Sequence, residues 1–314
     1  MPRFLQIHRE DDAALRAELI HGLTLPAAEV APKFLYDALG SRLFEAITEL
    51  PEYYPTRTEA AIFAEHGAAM AQAVGAGATL IDLGAGNCAK AARLLPLFDV
   101  RRYVAVDISV DFLREALQAL ARQHPRVPML GLGLDFSGGL ELPDDAVDGR
   151  PVFFYPGSSI GNFTRPDALA FLRRVRSRAI GGGLLIGVDL VKPACVLEPA
   201  YDDALGVTAA FNLNLLRYLN RLIGSDFDPR QWQHIAFFDR AESRIEMHLA
   251  ARRDLTVRWT GGEREFRSGE RIHTENSYKH SIDGFAALLR EAGFSAERHW
   301  TDPKGWFAVF WAGA

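Results

Sequence analysis

The sequence has little cysteine, no long apolar run and no block of like charge. Its two cysteines, Cys88 and Cys195, are too few for a disulfide framework and lack the spacing of metal ligands. No apolar run reaches about 18 residues, the length that a membrane-spanning helix needs. The 35 basic and 40 acidic side chains give a net charge of −5, with no cluster that would attract nucleic acid or a membrane surface. We therefore expect a cytoplasmic protein with no metal site, no nucleic-acid partner and no membrane contact, and we expect it to be a monomer.

The chain has enough apolar residues to form a large core. One short stretch, residues 79–87, gives the first indication of its fold. The chain has 314 residues, of which 48% are hydrophobic. Residues 79–83 (T-L-I-D-L) suit a buried parallel strand, and Gly84 and Gly86 follow it directly. The D-x-G-x-G pattern lacks the third glycine of the dinucleotide fingerprint, so it favours a smaller nucleoside ligand, for which S-adenosylmethionine (AdoMet) fits best. Gly-x-Gly also closes many ordinary strand-to-helix turns.

Strands and helices alternate after residue 79, which is typical of a parallel sheet covered on both faces. Asp107 ends the second predicted strand, where a carboxylate can accept hydrogen bonds from ribose hydroxyls. Asp135 and Phe136 follow the third, an acid and a ring suited to adenine. Any one acid here could be a helix cap, but two at successive strand ends favour AdoMet. The predicted strands are 79–83, 103–106, 129–134, 152–155 and 184–190, with helices at 89–97, 111–122 and 165–179.

The fourth strand runs into the loop 156–164 (P-G-S-S-I-G-N-F-T), which contains Gly157 and Asn162. Ligands of open parallel sheets bind beyond the carboxyl ends of the strands, so we expect this loop beside the transferable methyl group. Asn162 offers a donor and an acceptor to a zwitterionic substrate. Alternatively, Asn162 or Thr164 only caps the helix that begins near Pro166.

Two further regions flank the sheet. Residues from about Asp11 to Gly75 have helical periodicity. Within them Pro51 and Pro55 predict an extended linker that carries Tyr53 and Tyr54, with Thr58 capping the helix that follows. Alternatively, these tyrosines only pack in the core and have no role in binding or catalysis.

After the fifth strand the pattern changes to a helical stretch, 195–223, and then to strand-like runs. The runs are 234–238, 244–249, 255–259 and 263–266, with Gly261-Gly262 as a hairpin turn. In the last segment, 272–279, Glu275 and Ser277 share a side if the chain is extended, and could grip an imidazole or ammonium group. Equally, they could be the solvated face of an edge strand.

A helix at 282–292 and two strands at 294–300 and 306–311 end the chain. Five parallel strands, a helix and a terminal antiparallel hairpin predict an α/β fold, the doubly wound, Rossmann-like sheet of class I AdoMet methyltransferases. We expect an AdoMet-binding domain of residues 61–194 plus 280–314. Residues 1–60 plus 195–279 would form an α+β substrate-recognition (lid) domain.

The sequence resembles the histidine-specific Nα-methyltransferase family, which makes hercynine, the trimethylhistidine precursor of ergothioneine. Five separated motifs carry the likeness over nearly the whole chain. They are F-L-Y-D-x-x-G-S-x-L-F from Phe34, Y-Y-P-T-R-T-E from Tyr53, P-G-S-S-I-G-N-F from Pro156, A-Y-D-D-A-x-G-V-T-A-x-F-N from Ala200 and T-E-N-S-Y-K from Thr274.

The resemblance implies a role for each matching residue. Tyr36 and Tyr53 would line the site as its catalytic tyrosines, with Tyr53 and Gly157 also at the substrate. Asn162 and Tyr201 would hold the carboxylate of the amino acid, and Glu275 and Ser277 would recognise its imidazole. The residues implied to contact AdoMet are Gly84, Gly86, Lys90, Asp107, Asp135 and Phe136. After Gly86 the loop continues N-C-A-K, which has fewer hydroxyl side chains than the same loop in actinobacterial members of the family.

The activity implied is trimethylation of the α-nitrogen of L-histidine by AdoMet, with S-adenosylhomocysteine as the second product. An alternative is an N-methyltransferase of the same fold that acts on another small amine or amino acid. A non-catalytic AdoMet-binding module is a further alternative, although it would have no need of Asn162, Tyr201 and Glu275.

Overall fold

The computed structural model describes residues 2–7, 12–108, 110–136 and 139–314. The chain forms two compact units: unit 1 comprises Met1–Arg9, Pro55–Val191 and Lys279–Ala314, and unit 2 comprises Glu10–Tyr54 and Lys192–Tyr278. Among the described residues, no helix has both the length and the apolar composition needed to cross a bilayer. The predicted helical start at Asp11 lies outside the described residues.

The strands and helices are numbered in chain order. The strands are β1 (Arg3–Gln6), β2 (Ala28–Glu29), β3 (Ala78–Leu83), β4 (Val100–Asp107), β5 (Met129–Gly133), β6 (Arg150–Tyr155), β7 (Gly183–Asp189), β8 (Trp232–Asp239), β9 (Arg244–Ala251), β10 (Leu255–Trp259), β11 (Gly262–Phe266), β12 (Arg271–Tyr278), β13 (Ser295–Thr301) and β14 (Phe307–Gly313). The α-helices are α1 (Asp12–Thr24), α2 (Ala38–Thr48), α3 (Tyr54–Val74), α4 (Ala89–Leu94), α5 (Val110–Gln123), α6 (Arg165–Arg178), α7 (Ala194–Leu197), α8 (Val207–Ile223) and α9 (Ile282–Glu291).

Unit 1 is built on an eight-stranded sheet with the order β1-β5-β4-β3-β6-β7-β14-β13. Neighbouring strands are parallel except at β7–β14 and β14–β13. Apart from β1, this order and the reversed strand β14 are those of class I AdoMet methyltransferases, which confirms the predicted fold class. The edge strand β1 pairs with β5 and belongs to unit 1, as do residues 55–60, whereas the sequence predicts all of residues 1–60 in the lid domain.

The sheet has a hydrophobic core on each face because successive side chains of its strands alternate. Ile81 of β3 belongs to the cluster that contains Phe171 of α6 and Phe285 of α9. Its neighbour Leu80 belongs to the other cluster, which contains Met70 of α3 and other helical residues. Every residue of β3 is buried, as a doubly wound sheet requires.

Two sequence predictions about helices are wrong. The helix α3 begins at Tyr54 and includes Pro55 and Thr58, so Thr58 is no cap and the linker is shorter than predicted. Proline is tolerated in the first turn because its missing N–H has no partner to lose there. The predicted helix 195–223 is broken into α7, a 3-10 turn at Glu198–Ala200 and α8. Asp203 caps α8 by accepting hydrogen bonds from the amides of residues 207 and 208.

Unit 2 contains a four-stranded sheet, β2-β12-β9-β8, and the hairpin β10–β11. The hairpin turn is Thr260-Gly261, one residue earlier than predicted, with Gly261 in a left-handed conformation. The helix α8 contacts α1, α2, β8 and β9, so it is the central helix of this unit.

Candidate active site

The loop after β3 turns through two glycines that have left-handed backbone conformations. Gly84 has φ 71° and Gly86 has φ 52°, values that residues with a Cβ rarely adopt. The amide of Gly84 donates to the carbonyl of Val106 at 2.9 Å, and that of Gly86 donates to Oδ2 of Asp107 at 2.8 Å. A Cβ on Gly86 would meet no atom within 4 Å, whereas one on Gly84 would lie 3.8 Å from the ring of Phe136. The turn is thus held against β4 and keeps an open side that a ligand can approach.

The ends of β4 and β5 carry the next three candidate residues. Asp107 is the last residue of β4, and Asp135 and Phe136 follow the adjacent strand β5. The ring of Phe136 meets Tyr155 edge-on, with 5.8 Å between centroids, and tilts against Phe171 at 6.1 Å. Adjacent parallel strands end at the same edge of a sheet, so the glycine loop and these three residues share that edge.

Glu59 joins two candidate residues that the sequence places in separate motifs. Its Oε2 lies 2.8 Å from Nζ of Lys90, and its Oε1 accepts a hydrogen bond of 2.8 Å from the amide of Gly157. The Glu59 side chain is 1% exposed, and a Cβ on Gly187 of β7 would overlap Oε1. Sequence reasoning assigned Glu59 no role, although it is the last letter of the motif that begins at Tyr53.

The loop 156–164 is held from its buried side. Ser158 has φ 61°, and its Oγ accepts a hydrogen bond of 2.8 Å from the amide of Asp189. The Asp189 carboxylate lies 2.9 Å from Nζ of Lys279, and both side chains are buried. Asn162 is half-buried at the end of a 3-10 turn, and Thr164, rather than Asn162, caps α6. The cap alternative is therefore wrong for Asn162.

In unit 2, aromatic contacts bring the candidate tyrosines together. The ring of Phe44 meets Tyr36 and Tyr53 edge-on, at centroid distances of 5.5 Å and 6.1 Å. Tyr53 in turn meets Tyr201 edge-on at 6.2 Å. Tyr53 and Tyr201 are buried and Tyr36 is half-buried, so the three phenols belong to one cluster.

Glu275 and Ser277 lie on one face of β12, as their spacing predicts. They are 8% and 5% exposed, so the alternative of a solvated edge is wrong. A bulge between His273 and Glu275 shifts the register, after which Glu275 lies opposite a residue of β9 that is also buried, Met247. The hydroxyls of Ser277 and Tyr201 are 2.8 Å apart and hydrogen-bonded. The predicted imidazole and carboxylate residues of unit 2 are thus in direct contact.

Two buried titratable side chains flank the glycine loop, Asp82 in β3 and Cys88 just before α4. Asp82 accepts a hydrogen bond of 2.7 Å from the hydroxyl of Tyr103. Burial raises the pKa of Asp82 to about 7, against which the hydrogen bond from Tyr103 acts. Burial, and then the charge of Asp82, raises the pKa of the Cys88 thiol to about 12. Such a thiol is almost entirely protonated near neutral pH, so Cys88 is a poor nucleophile.

The chain is similar to known proteins of one family. A family model described as "Histidine-specific methyltransferase, SAM-dependent" matches residues 15–314. The chain is 40% identical to the histidine N-alpha-methyltransferase of Mycolicibacterium smegmatis over 304 residues, 94% of each chain. It is 39% identical to that of Mycobacterium tuberculosis over 96% of each chain. It is 35% identical to ergothioneine biosynthesis protein 1 of Neurospora crassa over 85% of its own length and 31% of that protein. The chain belongs to the family of histidine-specific, AdoMet-dependent methyltransferases.

Proposed function

We propose that the protein transfers three methyl groups, one at a time, from AdoMet to the α-nitrogen of L-histidine. The products are hercynine and S-adenosylhomocysteine. Family membership supports the reaction class, and the mycobacterial relatives carry histidine in their names. The observation that carries the choice of histidine is the buried cluster of Glu275, Ser277 and Tyr201.

We propose that unit 1 binds AdoMet, whose sulfonium group supplies an electrophilic methyl. The open side of Gly86 and the carboxylate that holds its amide, Asp107, suit a ribose that lies over the turn. Phe136, braced by two rings, suits the face of an adenine, and Asp135 its amino group. Lys90 is assigned here too, although its ion pair with Glu59 gives it a structural task as well.

We propose that Glu275 selects the acceptor by its side chain. A carboxylate in this position accepts a hydrogen bond from an imidazole N–H at a fixed reach, and Ser277 supplies a second polar contact. A leucine or phenylalanine side chain would remove water from Glu275 without offering a donor, which costs on the order of 1–3 kcal/mol or more for a charged group. Specificity for histidine would follow from that loss.

The carboxylate of the amino acid is assigned to Asn162 and Tyr201. The amide of Asn162 can donate N–H groups and the phenol of Tyr201 can donate its O–H. Both are neutral donors that can hydrogen-bond an ionised carboxylate. Gly157 lies in the same loop as Asn162, and we assign its backbone to the substrate site. A Cβ at this position would lie 2.5 Å from Nζ of Lys90, so the loop needs glycine there.

Transfer requires a neutral amine with its lone pair aligned to the methyl group. Holding the reactants in that geometry contributes several kcal/mol, with about 7–11 kcal/mol as the ceiling, so no strong base is needed. An apolar environment next to a cation lowers the pKa of an amine. We propose that Tyr36 and Tyr53 accept the hydrogen bond of the amine and pass its proton to water.

We also propose the division into an AdoMet-binding and a substrate-recognition domain, a cytoplasmic location and a monomeric state. The reaction is tested by incubating the protein with AdoMet and each of the twenty amino acids, followed by mass spectrometry. We expect histidine alone to yield a product heavier by three methyl groups. Methylation of a different amino acid or amine would favour the alternative substrate class, and no turnover with any amine would favour a binding module.

A further inference from the structure

The sheet of unit 2 presents a second cluster, on the face opposite to Glu275 and Ser277. Glu246 and His248 are two residues apart on β9, so their side chains point to the same face. His273 of β12 is the direct cross-strand partner of His248. The bulge after His273 places Glu275 on the other face, so the two clusters are separated by the sheet itself.

The three side chains are close enough to share one ion. Oε2 of Glu246 lies 2.8 Å from Nε2 of His248, and the rings of His248 and His273 are 4.9 Å apart between centroids. One ligand atom from each residue lies within 4.8 Å of the other two. Ligands bound at about 2.0–2.2 Å lie about 3.3–3.6 Å apart around a tetrahedral ion, so side-chain rotation has to adjust the separations for an ion to bind.

The surroundings hold the carboxylate in place and leave one ring nitrogen of His248 available. Nδ1 of His248 is buried and, within the described part of the chain, has no hydrogen-bond partner. Arg244 contacts Oε1 of Glu246, which holds the carboxylate with its other oxygen toward His248.

We propose that Glu246, His248 and His273 form a binding site for one divalent d-block ion such as Zn²⁺, Co²⁺ or Ni²⁺. Two imidazole nitrogens and one carboxylate oxygen are the ligands that these ions prefer, and three protein ligands leave a position for water. The sequence predicted no metal site because the third ligand comes from a strand 25 residues away. The proposal is independent of the methyl-transfer reaction.

Metal binding is tested on tag-free protein treated with a chelator and freed of histidine, which itself binds these ions. We expect one Co²⁺ per chain, with a visible absorption spectrum that Zn²⁺ displaces, and a thermal midpoint that rises with Zn²⁺. The substitutions His273→Asn and Glu246→Gln should each weaken binding at least about tenfold. His299→Asn removes an exposed histidine elsewhere and should change nothing.

Circular dichroism of each variant without metal shows whether it folds. If either folded variant binds Co²⁺ as tightly as the unaltered protein, the assignment is wrong. It is equally wrong if the unaltered protein binds less than one Co²⁺ per chain, or if His299→Asn abolishes binding to the same degree. Should one variant fail to fold, the other decides.

Discussion

The carboxylate of Glu59 lies 2.8 Å from the ammonium group of Lys90, and it also accepts the amide of Gly157. A side chain near the start of α3 therefore links the helix that follows the glycine loop to the loop after β6. Glu59 is almost fully buried, whereas Lys90 is one-third exposed. Loss of the ion pair would therefore leave an unpaired buried charge on Glu59, while Lys90 could still be solvated.

We predict that Glu59→Gln lowers the free energy of unfolding by about 1–3 kcal/mol, because the amide replaces a charge-assisted contact by a neutral one. Affinity for AdoMet should fall with it as the two loops loosen. Urea denaturation and calorimetric titration measure the two effects. Glu65→Gln, at an exposed position of the same helix, is the matched control and should be neutral.

The companion variant Lys90→Met separates the two tasks of Lys90. If Lys90 contacts AdoMet, this variant loses more AdoMet affinity than Glu59→Gln does at a similar loss of stability. Equal affinities in the two variants would assign Lys90 a purely structural role.

The hydrogen bond between Tyr201 and Ser277 predicts energetic coupling. Tyr201→Phe and Ser277→Ala should each raise the KM for histidine several-fold, and the double variant should lose less than the sum, with a coupling of about 0.5–1.5 kcal/mol. Steady-state kinetics of the four proteins gives the cycle. Tyr218→Phe, elsewhere in unit 2, is the control, and strictly additive losses would show that the two hydroxyls act separately.

Asp82 predicts a pH dependence of stability. Its pKa is about 7 in the folded chain and 3.8 as the ordinary value, so the folded state binds the proton more tightly. The stabilisation from this group is complete below about pH 4 and is lost as the pH rises toward 7. Asp82→Asn, which cannot ionise, should therefore gain stability relative to the unaltered protein as the pH rises from about 4 to 7, and the difference should stay level above that. Urea midpoints that keep a constant difference from about pH 4 to 7 would contradict the assignment.

The two cysteines predict a difference in reactivity. Cys88 is buried with its pKa raised to about 12, whereas Cys195 is exposed. At pH 8 Ellman's reagent should titrate one thiol in the native protein and two in urea, and none in native Cys195→Ser. Rapid reaction of both thiols without denaturant would be the opposite result.

Local patterns were sufficient to predict the sheet and the glycine loop. The buried run before Gly84, the acids at 107 and 135 and the period-two spacing of Glu275 and Ser277 are all read within a few residues. The same holds for the terminal hairpin, whose strands flank a compact turn.

The features that the sequence did not reveal depend on distant partners. The strand β1 is short and is recognised only by its pairing with β5. The break between α7 and α8 follows from the cap that Asp203 provides, and Glu59 is defined by contacts 31 and 98 positions away. The sequence alone predicts a linker at Pro55 because composition does not distinguish the first turn of α3 from a linker.

We propose that Glu275 selects the acceptor, separately from the binding of AdoMet by unit 1. Isothermal titration of histidine and of AdoMet into Glu275→Ala measures the two affinities. We expect histidine affinity to fall at least about tenfold, because the charge-assisted hydrogen bond is worth about 1.5–3 kcal/mol, and AdoMet affinity to stay unchanged. Equal loss of both affinities, or undiminished binding of histidine, would contradict this proposal.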